Sequence, residues 1–143
     1  MPVRVSLPWK GHVYDVRQGR CLGELATVPL EVSWQPVLLA VLSYPVRAVT
    51  VQGLPAFCRR GETLTGAVEI AGMPPDAAPL GVRIAVQGPD GRELPWLSQT
   101  VLVGTAPGKV ALPVAENDPP GYYTCIAREV VSGMAATNRI EVR

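Results

Sequence analysis

Residues 115–133 read AENDPPGYYTCIAREVVSG, a turn signal followed by a run in which alternate residues suit a dry surface. Asn117, Asp118, Pro119, Pro120 and Gly121 supply the turn. Short polar side chains bond nearby backbone N–H groups, proline presets one backbone angle and glycine accepts a positive one. Beyond the turn, Tyr123, Cys125 and Ala127 fall on one face while Tyr122 points the other way. Ser132 and Gly133 then signal another turn. A period of two with one apolar side describes a strand buried on one face.

The same period recurs from about Val46 onward. In GETLTGAVEI (61–70), Leu64, Gly66, Val68 and Ile70 oppose Thr63, Thr65, Ala67 and Glu69. GVRIAVQG (81–88) offers Val82, Ile84 and Val86 as its inward set, and KVALPV (109–114) offers Val110, Leu112 and Val114. Between them GPDGRE (88–93) carries Pro89-Asp90-Gly91, the signature of a hairpin tip. Runs at about 47–52, 62–71, 80–88, 94–103, 108–115, 121–131 and 137–143 give roughly seven strands at sandwich spacing. An all-β chain follows, with an immunoglobulin-like antiparallel β-sandwich over 46–143.

Residues 1–45 are predicted to form a small N-terminal β region of four short strands. These are VRVSLPW (3–9), HVYDVR (12–17), ATVPLEVS (26–33) and VLLAVLSY (37–44), separated by Gly11, Gly19, Gly23 and Pro36. Alone, such a sheet struggles to bury its apolar side, so it is expected to pack on the sandwich or on a partner.

Composition narrows the function. The chain has 143 residues, 48% hydrophobic and 17% charged, against roughly 25% charged in ordinary soluble domains. A surface so poor in charge suits a protein with neighbours. Fifteen prolines and fourteen glycines leave little room for helices. The 13 basic and 12 acidic residues are interleaved, which gives no basic stripe for nucleic acid. The uncharged stretch Val32–Val46 is broken by Gln35, Pro36 and Pro45, so no membrane-spanning segment is expected. PVRVSLPW after Met1 lacks the form of a secretory signal. An extracytoplasmic location is expected only if the chain is a piece of a secreted parent.

In immunoglobulin domains a Tyr two residues before the second cysteine forms a corner, and that cysteine is bonded to one on the second strand; Tyr123 before Cys125 matches this half of the pattern. The matching core position holds Val68, and no Trp follows on the third strand. Cys58 lies earlier, beside Arg59-Arg60-Gly61-Glu62, so a Cys58–Cys125 bridge is open but disfavoured. An odd count of three, with Cys21 in the separate sheet, argues against a disulfide framework. The bland reading of Cys125 is a small buried hydrophobe.

The sole histidine, His12, has no local carboxylate pattern, and no Cys-x-x-Cys spacing occurs. Asp15, Asp90 and Asp118 stand at strand ends or turns, where a short carboxylate bonds the backbone. No phosphate loop is present. The chain is therefore expected not to be an enzyme, with no catalytic residue, cofactor or metal. Aromatic residues offer a different thread, because the flat side of a sugar ring stacks on an aromatic face. Trp9, Trp96 and Tyr122 are the candidate sugar-stacking residues. Trp9 and Trp34, each close to a proline, are expected chiefly to seal the seam between sheets.

LPWKGHVYDVRQGRCLGE (7–24) together with VLLAVLSYPV (37–46) resembles the stretch that closes large bacterial glycoside-hydrolase-like multidomain proteins. There a Tyr-Asp-x-Arg-x-Gly hairpin, here Tyr14, Asp15, Arg17 and Gly19, completes a C-terminal β-sandwich. LPVAENDPPGYYTCIAREVVSG (112–133) resembles the late strands of macroglobulin-like and other immunoglobulin-like modules. Cys21 departs from the first pattern, which more often carries an aromatic there. The resemblance implies an accessory region, since the catalytic carboxylates of those proteins lie in a barrel outside it.

The expected function is a non-catalytic accessory or interaction module of a larger carbohydrate-active or cell-surface protein, one that packs or docks. Its expected partners are other domains of a parent protein or identical copies. One alternative is a carbohydrate-binding module using exposed aromatics. The other is a structural subunit of a surface assembly that pairs edge strands between copies.

Overall fold

A computed structural model describes all 143 residues and contains strands only. The strands are β1 (Pro2–Asp15), β2 (Arg20–Glu31), β3 (Leu39–Leu42), β4 (Ala48–Gln52), β5 (Phe57–Cys58), β6 (Thr63–Ala71), β7 (Leu80–Gln87), β8 (Gln99–Val103), β9 (Gly108–Pro113), β10 (Gly121–Glu129) and β11 (Ala135–Val142). They form three sheets in the orders β2-β1-β3, β4-β6-β9 and β5-β11-β10-β7-β8. Every pairing is antiparallel except that of β5 with β11.

The second and third sheets face each other as a β-sandwich, and the alternation explains why. Val49, Leu64, Val68, Ile70, Val110 and Leu112 line one inner face; Val82, Ile84, Val86, Tyr123, Cys125, Ala127, Ile140 and Val142 line the other. Together they anchor a cluster of 22 buried residues. The seven expected runs are all present as strands, with the two-residue β5 added. One boundary differs: residues 94–98 are a turn, and β8 begins at Gln99. Pro95 has no N–H to give a ladder, so the segment folds on itself, burying Leu94 and Leu97. Ser98 Oγ holds it by donating to the Leu94 carbonyl at 3.0 Å and accepting from Val86 N–H at 3.2 Å.

Tyr123 is buried, and its hydroxyl donates to the Pro119 carbonyl at 2.7 Å. This is the tyrosine corner that the Tyr-x-Cys spacing suggests.

The N-terminal sheet differs from its predicted form. VRVSLPW and HVYDVR are one long strand, β1, and Gly11 does not end it. The register jumps from Ser6 opposite Thr27 to Gly11 opposite Leu25, so Leu7–Lys10 bulge out against the single residue Ala26. Pro8 cannot donate to the ladder, which makes this the natural place for the bulge. The hairpin is also bent. A straight β1 would separate its ends by about 40 Å, yet Glu31, paired with Pro2, lines the same depression as Asp15, Arg17 and Gln18. Val13 and Val28 are fully buried but stand outside the sandwich cluster.

Candidate functional site

Two hairpin tips meet where the N-terminal sheet joins the sandwich. Gly19 of the β1–β2 turn and Gly133 of the β10–β11 turn both have positive φ, 60° and 74°. A Cβ on Gly133 would stand 2.7 Å from the Gly19 carbonyl oxygen and 2.8 Å from its Cα. Only glycine permits this approach with that backbone.

Glu129 fixes the second tip. It is completely buried, and it is the last residue of β10. Its Oε1 accepts the Val131 N–H at 2.8 Å, and its Oε2 accepts the Ser132 N–H at 2.6 Å together with the Ser132 hydroxyl. These charge-assisted bonds stand in for the water that a buried carboxylate gives up. Tyr14 reaches across from β1 as the one residue of the first 45 in the large core cluster. Its hydroxyl accepts the Val46 N–H at 2.9 Å. Burial pushes the Tyr14 and Tyr44 hydroxyls above their usual pKa, and the Glu129 charge adds to the effect.

Sequence reasoning overlooked Glu129, although its signal was present. Tyr123, Cys125, Ala127 and Glu129 follow one inward-facing alternation, and a carboxylate on that side needs a buried partner set.

The candidate aromatic residues are not gathered at one place. Trp9 sits on the β1 bulge and lines a cleft with Val41, Leu42, Tyr44, Pro74, Asp76 and Leu80, at the junction of the N-terminal sheet and the sandwich. Trp96 is exposed in the turn before β8, and Tyr122 on the outer face of β10; neither lines that cleft. Tyr122 points outward as alternation requires, with the Arg139 guanidinium stacked 3.9 Å from its ring centroid. Trp34 corrects an expectation: at 89% exposed it seals no seam, and stands on the 32–38 segment with Val32, Val37 and Leu38, all exposed.

All three cysteines are free thiols, Cys21 exposed and the other two buried. Burial holds the Cys125 thiol up at about 11 and raises that of Cys58 as well. His12 is paired in register with Glu24 and Leu42. The three turn aspartates bond backbone as expected: Asp15 accepts from Gln18 N–H, Asp90 from Arg92 N–H and Asp118 from Ala115 N–H. No group of three or more His, Cys, Asp or Glu residues is placed to hold a metal ion. No helix crosses a membrane, since none is long and apolar enough.

No protein-family model and no curated protein matches the sequence. Solved structures do match the fold. The chain is similar to part of a Salmonella α-2-macroglobulin, at 16% identity and TM-score 0.55, over 94% of this chain and 11% of that one. E. coli α-2-macroglobulin gives 15% identity and TM-score 0.54, over 94% of this chain and 10% of that one. A Listeria innocua β-glucosidase is similar over 69% of this chain and 16% of its own, at 14% identity and TM-score 0.47. The macroglobulin likeness supports a β-sandwich, and the chain spans only a small part of each of these proteins.

Proposed function

We propose that the chain is a non-catalytic accessory module that docks on a neighbouring domain, or on a second copy, through the apolar rim of its N-terminal sheet. One observation carries this. Val32, Trp34, Val37 and Leu38 crowd seven consecutive positions and are all exposed, beside exposed Met1, whose carbonyl accepts the Val32 N–H. A concentration of exposed apolar side chains among polar ones is what a docking face presents before it is covered. The macroglobulin-like fold agrees with a unit that works among others, since it makes up about a tenth of those chains. The absence of enzymatic work is supported by the turn aspartates, which are engaged with backbone, and by buried thiols that favour the protonated form.

Edge-strand pairing between copies is less favoured at this sheet. The Val32–Met1 bond marks a hydrogen-bonded pair, so alternation turns the backbone of Pro2 and Pro29 toward the two free edges of the ribbon. Proline at an outward position offers no N–H to a new strand.

Acrylamide quenching tests the docking proposal, using Trp34 as sole tryptophan after Trp9→Phe and Trp96→Phe. The expected result is strong quenching in the isolated chain and protection in a longer protein that contains it, or in a self-associated form seen by light scattering. Equal quenching in both settings, with a strict monomer at every concentration, would contradict the proposal.

A further inference from the structure

The cleft at the seam carries a second, separate inference. It has a volume of about 280 Å³, and its walls include Trp9, Val41, Leu42, Tyr44, Pro74 and Leu80. Asp76 is the one charged side chain in the lining, and no basic group is present there. Trp9 is held in a set position. A Cβ at Gly11 would collide with the indole ring and would stand 2.7 Å from Val41 Cγ1, so the ring lies against bare glycine backbone while the residue stays 46% exposed.

We infer that this cleft binds an alkylated ammonium group. An aromatic face carries negative quadrupole charge and attracts a cation, most strongly where the face belongs to tryptophan. Asp76 adds a full negative charge at the same cleft, which disfavours an anion. The aliphatic walls accept methyl or methylene groups, whose burial requires no hydrogen bond. A neutral sugar ring fits less well. Ser43 and Asp76 are the polar side chains available besides the Tyr44 hydroxyl, so most of its hydroxyls would face Val41, Leu42, Pro74 and Leu80 unpaired. The volume lies just below the roughly 300–1,000 Å³ of ordinary ligand pockets, which suits a head group.

The test is a titration of the isotopically labelled chain with choline, read at the indole N–H of Trp9 by NMR. A saturable shift with a dissociation constant on the order of 1 mM is expected. 3,3-Dimethyl-1-butanol has the shape of choline without its charge, and should bind about tenfold more weakly. Asp76→Asn, a surface change compatible with folding, should weaken choline several-fold, and Trp9→Ala, followed at the backbone amides of Val41, Leu42 and Leu80, should abolish its saturable binding. Trp34→Ala and Trp96→Ala should leave the affinity unchanged. Four results would each overturn the inference: no saturable shift up to about 50 mM choline, equal affinity for the neutral isostere, undiminished binding by Asp76→Asn, or saturation of Trp9 by cellohexaose in place of choline.

Discussion

The sandwich and the N-terminal sheet use the same alternating code with opposite results. In the sandwich each apolar face meets another sheet, and 21 of the 22 residues in the large core cluster come from Val46 onward, leaving Tyr14 as the sole contribution of the first 45. In the N-terminal region only Val13 and Val28 are as fully buried, outside that cluster, while Val5 and Trp9 of β1 stay exposed, as do Met1, Val32, Trp34, Val37 and Leu38 in the segments beside the strands. An alternating strand becomes core only when a second layer covers it. Where none does, the same residues become surface that a partner can use.

The sharpest way to break this comparison is to cut matching holes in the two regions. Val82→Ala, at a fully buried sandwich position, should lower global stability by about 2–3 kcal/mol in urea unfolding, because a cavity term adds to the transfer of two methylene equivalents. Val28→Ala, also at a fully buried position, should cost only about 1.5 kcal/mol, roughly two methylene equivalents, with little change in the sandwich. Equal losses would mean that the two regions share one core after all.

The seam comes next in size. Gly133→Ala forces a side chain into positive φ and against Gly19, and should cost about 1–3 kcal/mol. NMR shifts should spread from the β10–β11 tip into the β1–β2 tip. Confinement of the shifts to residues 130–134 would show that the tips do not hold the regions together. Tyr123→Phe removes one hydrogen bond within the sandwich and should cost about 1 kcal/mol without disturbing the N-terminal sheet.

The thiols sharpen the contrast further. Exposed Cys21 should react promptly with an alkylating reagent, whereas Cys58 and Cys125 should react only as the chain unfolds. Folded Cys125 keeps its proton up to about 11, while the unfolded chain releases it near the ordinary value of 9.0. Stability is therefore full below that ordinary value and falls as the pH rises toward about 11. Cys125→Ala should remove part of the fall and leave the shares due to Cys58, Tyr14, Tyr44 and Tyr123, whose pKa values burial also raises. The smallest effect belongs to Trp34→Ser, expected to change stability by less than about 0.5 kcal/mol, since the side chain is packed on little.

Much of the sandwich was legible in the sequence because its burial follows a strict period of two. Leu64, Val68, Ile84, Leu112 and Tyr123 announce their faces by position alone, and the Tyr-x-Cys spacing announces the corner. The N-terminal sheet was less legible. Gly11 reads as a break, but its role is to let Trp9 lie across the backbone, a contact between neighbours on a bulge that no simple period encodes. Trp34 reads as seam filler because size suggests burial, yet burial depends on what stands opposite. The seam cleft joins Trp9 to Asp76 through the fold, so local spacing could not reveal it.

Native-state hydrogen exchange, resolved by residue, tests the difference between the two regions most directly. Amides of β6, β7 and β10 should exchange only through global unfolding, while the ribbon pairing residues 2–6 with 27–31 should exchange through local opening at much lower free energy. Protection of that ribbon equal to the central sandwich strands, in the isolated chain, would contradict the account.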